Sequence, residues 1–146
     1  MAQRQITRQE AFMQASTYAN FAYQQPLYMN RAVGTPLSAY DWAVADYFGK
    51  PQVLELDASE WTGGSGQTLR IRARDNVKVL VVRVMILDGG QDGQTLEEGE
   101  AEQSETDSLL WTYTTRRSVT NKSGSRLDVQ AFDLPGNVGS YSLELM

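Results

Sequence analysis

The sequence contains neither cysteine nor histidine, although it runs to 146 residues. The absence of cysteine excludes disulfide bonds, thiolate metal sites and cysteine nucleophiles. The absence of histidine removes the commonest general base and the commonest metal ligand. Ser-His-Asp catalysis, zinc hydrolysis and histidine pH switching by this chain alone are therefore excluded. We predict that the protein is not an enzyme and needs no cofactor.

Long apolar runs and an excess of basic charge are also missing. No stretch approaches the ~20 apolar residues of a transmembrane helix, and residues 1–25 contain no apolar run resembling the core of a signal peptide. We therefore expect a soluble protein without a membrane span, cytoplasmic by default. The formal charge of −5 disfavours nucleic-acid binding. With 41% apolar and 21% charged residues, the composition fits one folded domain.

The first fifty residues carry helix signals rather than strand signals. Thr7 and Glu10 have the spacing of a capping box at the start of a helix. That helix is predicted to end near Gln24, because Pro26 disfavours helical backbone at the residue before it. A short helical or irregular piece is expected from Leu27 to Ala32. Helical spacing predicts one broad apolar face in the first helix, formed by Ala11, Phe12, Ala15, Tyr18, Ala19 and Ala22.

A further helix is predicted from about residue 37 to residue 48. Thr35-Pro36 offers one N-cap, since proline suits the first helical position. Ser38, with Asp41 at its third helical position, is the alternative cap. Gly49 is the candidate C′ residue, and the helix stops there.

Beyond Pro51 the chain changes character, with β-branched residues alternating with charged ones and glycine at the breaks. Antiparallel strands separated by frequent turns predict a mainly β fold, a seven-stranded sandwich preceded by two or three helices. The long strand that starts at Val77 is apolar on both faces over part of its length, so we place it centrally, with the helices covering its outer face. The predicted strands are Val53–Leu56, Thr68–Arg74, Val77–Leu87, Thr95–Glu102, Leu109–Arg116, Arg126–Phe132 and Gly139–Leu145.

The last two predicted strands are joined by the sequence Asp133-Leu-Pro-Gly-Asn137. Pro135 fixes its own φ, and Gly136 accepts a positive φ, so this pair suits the middle of a tight turn. The end of the chain is therefore predicted to form a closing β-hairpin.

Several short patterns in the predicted sandwich combine into a resemblance. They are Val84-x-Ile86-x-Asp88-Gly-Gly-x-Asp92-Gly, Leu96-Glu-Glu-Gly99-x-Ala101, Trp111-x-Tyr113 and Leu127-x-Val-x-Ala131-x-Asp133-x-x-Gly136-Asn137. Together they resemble bacterial immunoglobulin-like domains, in which a D-x-x-G-N turn commonly links the last two strands. The resemblance covers residues 53–145. It implies a fold that serves many roles, and it supplies no catalytic residues.

The resemblance also sets the expected domain organisation. The arrangement is similar to a family of uncharacterised small bacterial proteins with a helical leader and an immunoglobulin-like body. Residues 1–50 would be the leader, and residues 51–146 the sandwich. The leader either packs on its own sandwich or is exchanged between sandwiches. The chain departs from the immunoglobulin pattern in its helical start and in its lack of the disulfide.

An acidic segment, residues 92–107, carries seven carboxylates and no basic residue. Asp88 and Asp92 are weak candidates for a Ca²⁺ site, because their spacing is similar to the start of an EF-hand loop. The match fails at Gly90 and Gly99, which stand where that loop needs ligands. The alternative is a glycine-rich hairpin followed by a solvated edge strand whose charge discourages edge pairing. We predict no metal site.

Two further sets of residues are candidates for contact with a partner. Arg70, Arg72 and Arg74 form a positive stripe on one strand face, and could bind an anion or pair with the acidic segment. The alternative is the exposed face of an edge strand with weak cross-strand ion pairs. Trp61 lies beside the flexible Gly63–Gly66 loop, and is the aromatic residue most expected to be exposed to a partner. That loop lacks the features of a phosphate-binding loop.

Three functions follow, in order of preference. The first is a non-catalytic immunoglobulin-like module for protein binding or self-assembly. The second is a carbohydrate-binding module, which needs exposed rings of Trp61, Trp111 and Tyr113, although Trp111 also suits a sandwich core. The third is a hydrolase with two carboxylates facing each other across a cleft.

Overall fold

The computed structural model describes residues 7–89 and 94–145. It contains three helices followed by eight strands, so the protein is mainly β, with its helices at the N-terminus, as predicted. The chain divides into two compact units, Met1–Lys50 and Pro51–Met146. Among the described residues, no helix combines the length and the apolar character needed to cross a bilayer.

The first unit contains helices α1 (Arg8–Ala22), α2 (Pro26–Ala32) and α3 (Ala39–Phe48). The hydroxyl of Thr7 accepts a hydrogen bond from the Glu10 N–H at 3.1 Å, so the predicted N-cap is confirmed. α1 ends at Ala22, two residues before the predicted end. Residues 26–32 form a regular helix, with proline at its first position.

The start of α3 settles the choice between two predicted caps. Ser38 accepts from the Asp41 N–H at 3.1 Å, and the Asp41 carboxylate accepts from the Ser38 N–H at 3.0 Å. This reciprocal pair is a capping box, and it makes Ser38 the N-cap. The Thr35 hydroxyl instead donates to the Ala32 carbonyl at the end of α2. Gly49 has an extended backbone, with φ −81°, so it does not form a left-handed cap.

The second unit is a sandwich of two antiparallel four-stranded sheets. The first sheet has the strand order β1-β2-β6-β5, and the second has the order β4-β3-β7-β8. The strands are β1 (Gln52–Asp57), β2 (Thr68–Arg74), β3 (Val81–Asp88), β4 (Gln94–Glu100), β5 (Glu102–Gln103), β6 (Leu110–Thr114), β7 (Arg126–Phe132) and β8 (Val138–Glu144).

The core of the sandwich lies between the facing sides of the two sheets. Alternate residues point inward in the interior strands, as expected for sheets with one buried face. The fully buried aliphatic residues of these strands are Leu69 and Ile71 in β2, Val82, Val84 and Ile86 in β3, and Leu127, Val129 and Ala131 in β7.

The single strand predicted over Thr95–Glu102 is in fact two strands in different sheets. β4 pairs with β3, whereas β5 pairs with β6. The break falls at Ala101, whose N–H donates to the Val82 carbonyl at 2.8 Å. The chain therefore crosses from one sheet to the other at Ala101, and the strand count rises from seven to eight.

β3 starts at Val81, four residues later than predicted. The Asp75 carboxylate accepts hydrogen bonds from the N–H groups of Val77 and Lys78, which holds this stretch as a turn. β3 lies between β4 and β7, so its predicted central position is confirmed. The predicted cover of its outer face by the helices stays a prediction.

The closing hairpin is present, and pairs β7 with β8 from Arg126↔Glu144 to Phe132↔Val138. Its turn differs by one residue from the predicted one. The Gly136 N–H donates to the Asp133 carbonyl at 3.2 Å, so Leu134 and Pro135 are the central residues. Gly136 follows them with φ +96°, a conformation that favours glycine.

Candidate functional site

The helical unit carries most of the large exposed apolar side chains of the described residues. Of the fourteen large apolar side chains exposed among the described residues, eight lie in this unit. Phe21 is 85% exposed and Val33 is 79% exposed. Exposed apolar residues that lie together in a large patch are typical of an interaction surface. We call this set the helical apolar surface; it consists of Phe12, Met13, Phe21, Tyr23, Met29, Val33, Leu37 and Phe48.

α1 places part of this surface opposite its buried side. Ala15, Ala19 and Ala22 are buried on one face. Met13 and Phe21, eight residues apart, lie on the opposite face because residues at intervals of four align along a helix. Phe12 belongs to the predicted apolar face of α1, but unlike the alanines of that face it is 60% exposed. The buried side chains of α1 are all alanines, which allow close helix packing and leave the large residues outside.

A hydrogen-bonded chain of polar side chains connects the three helices. The Tyr28 hydroxyl donates to the Asp46 carboxylate at 2.6 Å, and it also contacts the Tyr18 hydroxyl. Burial, followed by the hydrogen bond to Asp46, raises the pKa of Tyr28 far above its usual value. Tyr28 therefore stays neutral and acts as a hydrogen-bond donor. The side chains of Tyr18, Tyr28 and Asp46 link α1, α2 and α3 to one another.

A second clamp joins α2 to α3. The guanidinium of Arg31 lies 4.6 Å from the centre of the Trp42 ring, within the range of a cation–π contact. The Trp42 indole N–H donates to the Thr35 hydroxyl at 3.1 Å. The one basic residue of α2 thus contacts an aromatic ring of its own unit.

In the sandwich, the acidic segment contains a buried carboxylate that the sequence did not reveal. The Glu97 side chain is only 2% exposed. It accepts hydrogen bonds from the Tyr113 hydroxyl at 2.5 Å and from the Arg117 N–H at 2.9 Å. The Arg116 N–H donates to it at 3.1 Å, and the Arg116 side chain forms an ion pair with it.

This network shifts the pKa values of Glu97 and Tyr113 in opposite directions. Burial opposes ionisation of Glu97, but the hydrogen bonds from Tyr113 and the two arginine N–H groups outweigh it and lower the pKa of Glu97. Burial and the hydrogen bond to Glu97 raise the pKa of Tyr113 to about 12. Gly99 makes the contact possible, since a Cβ there would lie 3.0 Å from the Tyr113 ring. The cluster is a structural anchor between the two sheets.

Outside Glu97, β4 fits the prediction of a solvated edge strand. β4 lies at the end of its sheet, and its residues Glu98 and Glu100 are exposed. The only sequence signal for the buried position is that Glu97 shares a strand face with Gly99 and Ala101, two small residues.

Asp88, one of the two weak calcium candidates, already accepts hydrogen bonds from other residues of the chain. Its carboxylate accepts from the Thr120 N–H at 2.7 Å, from the Thr120 hydroxyl at 2.9 Å and from the Asn121 N–H at 3.2 Å. Asp88 is fully buried, so these bonds anchor the loop between β6 and β7 to the end of β3. Asp92, the other candidate, lies outside the described residues.

The arginine stripe lies on an interior strand rather than on the predicted edge strand, because β2 is flanked by β1 and β6. The predicted ion pairs are present. Arg70 contacts Glu60 at 2.6 Å, and Arg72 contacts Asp107 at 3.0 Å and Glu55 at 3.7 Å. Arg74 donates to the Gln52 side chain at 3.1 Å. Arg70 and Arg72 therefore form ion pairs within the sandwich unit. These pairs are partly exposed, so they contribute little to stability.

The aromatic residues proposed for a ligand platform belong to the core. Trp61 is 3% exposed, so the prediction of an exposed Trp61 is wrong. Trp111 and Tyr113 are each 5% exposed and pack in the same cluster. Trp61 lies at a turn in which its backbone N–H donates to the Ala58 carbonyl, and its side chain packs in the hydrophobic core. The carbohydrate hypothesis thereby loses the three rings on which it rested.

A shallow groove of about 310 Å³ lies where the chain changes sheets. Glu100, Glu102 and Arg116 line it together with Tyr113 and neighbouring threonines. Both groove carboxylates belong to exposed residues, so they are solvated rather than poised across a closed cleft. This arrangement gives little support to a carboxylate-pair hydrolase.

Another buried carboxylate, that of Asp133, closes the last hairpin. Asp133 accepts from the Asn137 N–H at 2.7 Å and from the Asn137 side-chain amide at 3.1 Å. Burial raises the pKa of Asp133, and the charge of Asp75 raises it further. The bonds to Asn137 hold the turn, which explains why Asp and Asn occur together in the turn pattern.

Comparisons with known proteins add little beyond the fold. No protein-family model matches the sequence, and no curated protein matches it. Among solved structures, the chain is similar to CopC from Methylosinus trichosporium OB3b, with 14% sequence identity and a TM-score of 0.46. The similarity covers 64% of this chain and 89% of that chain. It concerns the fold alone.

Proposed function

We propose that this protein is a non-catalytic, immunoglobulin-like module that acts by self-assembly, with the helical apolar surface as its contact surface. The observation that carries the proposal is the concentration of large exposed apolar side chains in the helical unit. Burying such surface is the main favourable contribution to association. The hydrogen bonds among Tyr18, Tyr28 and Asp46 link the three helices, and such pre-organisation lowers the entropic cost of binding.

The strand order supports an immunoglobulin-like assignment. In immunoglobulin domains, strands A, B, E and D form one sheet, and C, F and G form the other, with C′ added beside C in some types. Taking β1 to β8 as A, B, C, C′, D, E, F and G, the observed orders β1-β2-β6-β5 and β4-β3-β7-β8 match that arrangement. This fold carries many different functions, so the function of this protein has to be argued from its surface and not from its fold.

A second copy of the chain is the partner that this surface fits best. Residues 1–50 contain only four basic and three acidic residues, so the helical unit is nearly neutral. Two such surfaces can approach each other without electrostatic repulsion. By contrast, residues 51–146 carry nine basic and fifteen acidic residues, so the sandwich unit has a net negative charge.

The roles of the buried carboxylates support the absence of catalysis. Glu97 and Asp88 each accept backbone N–H donors from the chain that follows β6. Carboxylates held in this way anchor loops and are poorly placed to exchange protons with a substrate.

Light scattering coupled to size-exclusion chromatography tests the proposal. We expect the apparent mass of the wild-type protein to rise with concentration. Replacing Met13 and Phe21 together by glutamine should shift the protein towards the monomer, since both side chains are largely exposed and glutamine is a good helix former. The fold should be preserved, because the substitutions lie away from the buried face of α1.

Leu54→Gln is the matched control, since Leu54 is 46% exposed but lies in the sandwich. The apparent mass of this variant should equal that of the wild-type protein at each concentration. A strict monomer at high concentration would overturn the self-assembly proposal. Equal effects of the helical and the sandwich substitutions would remove the helical apolar surface from it.

A further inference from the structure

The four edge strands of the sandwich differ in how well they resist pairing. β5 has only two residues, and β1 carries Glu55, Asp57 and a register irregularity after Val53. β4 carries three glutamates and pairs irregularly with β3 at Ile86. Short length, charge and bulges are the usual protections of an exposed edge. Three of the four edge strands are therefore protected against pairing with a strand of another chain.

β8 is the exception. It runs for seven residues, pairs with β7 without a register shift, and has one charged residue, Glu144, at its very end. No described strand pairs with its other edge. Ser140, Tyr141 and Ser142 at its centre are all exposed. β8 therefore presents an open template for an added strand.

The hydrogen-bond register shows which groups of β8 face outward. The Leu145 N–H donates to the Ser125 carbonyl at 2.8 Å. Because hydrogen-bonded and non-hydrogen-bonded pairs alternate along antiparallel strands, Tyr141 bonds to its β7 partner Val129. The backbone N–H and C=O groups of Ser140 and Ser142 then point to the open edge, as do those of Val138 and Glu144.

This pattern is complementary to itself. In an antiparallel pair of two β8 strands centred on Tyr141, Ser140 of one copy lies opposite Ser142 of the other. Both serines direct their backbone groups towards the partner, so the pairing satisfies them reciprocally. Glu144 lies opposite Val138, and no like charges oppose each other. A closed two-fold dimer needs a surface patch that matches itself in this way.

We propose that β8 pairs antiparallel with β8 of a second copy, centred on Tyr141, so that the two β4-β3-β7-β8 sheets become one continuous sheet. The proposal rests on the self-assembly proposed above, but it uses a different surface. Tyr141 is 42% exposed although it lies on the core-facing side of β8. In the dimer the two Tyr141 rings meet at a non-hydrogen-bonded pair, where side chains are closest.

The strength of this contact is limited. One pair of seven-residue strands buries less than the ~1,200 Å² of a stable interface. At the start of β8, Gly139 is crowded by the chain at Pro51. The pairing is therefore centred on residues 140–142, and the dimer is weak and concentration-dependent unless the helical apolar surface adds to it.

Cysteine cross-linking in the full-length protein tests both the contact and its register. The natural chain has no cysteine, so one introduced thiol is the only thiol present. In Tyr141→Cys, the paired Cα atoms would lie about 4.5 Å apart, within the range of a disulfide. In Ser142→Cys, the equivalent atoms would be about 8 Å apart, beyond that range. We expect a mild oxidant to give a disulfide-linked dimer with the first variant and roughly tenfold less with the second.

A third variant checks that the dimer depends on backbone pairing. Ser140→Pro, combined with Tyr141→Cys, removes an outward N–H but no bond to β7, so cross-linking should fall while the melting temperature changes little. Equal cross-linking of the two cysteine variants, or none with Tyr141→Cys, would overturn the β8 proposal.

The two proposals can fail separately. If the wild-type mass rises with concentration but Tyr141→Cys does not cross-link, the β8 pairing is wrong and the helical apolar surface stands. If Tyr141→Cys still cross-links after Met13 and Phe21 are replaced, while those replacements leave the mass unchanged, the helical surface is wrong and the β8 pairing stands.

Discussion

The hydroxyl of Tyr113 donates a 2.5 Å hydrogen bond to the buried carboxylate of Glu97. Tyr113 belongs to β6 and Glu97 to β4, so this bond joins one sheet of the sandwich to the other. The N–H groups of Arg116 and Arg117 complete the coordination of the carboxylate. The start of the loop after β6 is thereby attached to the opposite sheet.

Glu97→Gln should destabilise the protein at neutral pH. Although burial favours its neutral form, the hydrogen bonds from Tyr113 and the arginine N–H groups lower the pKa of Glu97 in the folded state. Its ionised form therefore stabilises the fold above the unfolded-state pKa, and this contribution is lost as the pH falls through the folded-state pKa. We expect a loss of about 2–3 kcal/mol in the free energy of unfolding at pH 7.

Urea unfolding of the wild-type protein and of Glu97→Gln at several pH values measures this effect. The difference between the two proteins should shrink as the pH falls through the lowered pKa of Glu97, because the wild-type carboxyl group then also becomes protonated. Glu98→Gln is the control, because Glu98 is the exposed neighbour on the same strand, and it should cost less than about 0.5 kcal/mol. Similar losses in the two variants at pH 7 would contradict the assigned role of Glu97.

The elements that could be predicted from the sequence are those whose signals are local. The N-cap at Thr7, the interior position of β3 and the closing hairpin all follow from patterns within a few residues. Alternation also placed Arg70, Arg72 and Arg74 together on the outward face of β2. In each of these cases the cause of the structure lies close to the residue that shows it.

The features that could not be predicted depend on residues far apart in the chain. Glu97 looks like one more solvated acid, because its partner Tyr113 is sixteen residues away. The crossing at Ala101 depends on the Val82 carbonyl, which belongs to another strand. Trp61 was expected to be exposed because a glycine-rich loop follows it, but the turn directs its ring into the core. The exposure of Phe12 and Phe21 likewise reflects which face of α1 meets the other helices.

Asp88→Asn tests whether this carboxylate is a loop anchor or a calcium ligand. As an anchor, it accepts bonds from the backbone and side chain of Thr120 and from the Asn121 N–H. An amide can replace only part of this acceptor capacity, so we expect a loss of about 1–3 kcal/mol in the free energy of unfolding. Thr120→Ala should cost less, since it removes the hydroxyl and keeps the backbone donor.

Thermal unfolding with millimolar Ca²⁺ and with a chelator separates the two roles. A ligand that binds only the folded state raises its melting temperature. We expect Ca²⁺ to leave the melting temperatures of the wild-type protein and of Asp88→Asn unchanged. A Ca²⁺-dependent rise in the wild-type protein that is absent in Asp88→Asn would restore the calcium interpretation.

Gly139→Ala should destabilise the sandwich by a steric clash between β8 and the residue before β1. A Cβ on Gly139 would lie 2.0 Å from the Pro51 carbonyl oxygen and 2.8 Å from its carbon. These are backbone atoms, so the strands would have to separate, and we expect a loss of about 2 kcal/mol or more. Gly136→Ala in the same hairpin is the control. It meets no atom within 4 Å, and only its φ of +96° opposes the substitution, at a cost of about 1–2 kcal/mol. Chemical unfolding of both variants should therefore rank Gly139→Ala as the more damaging. The opposite ranking would mean that Pro51 does not hold this close position against β8 in solution.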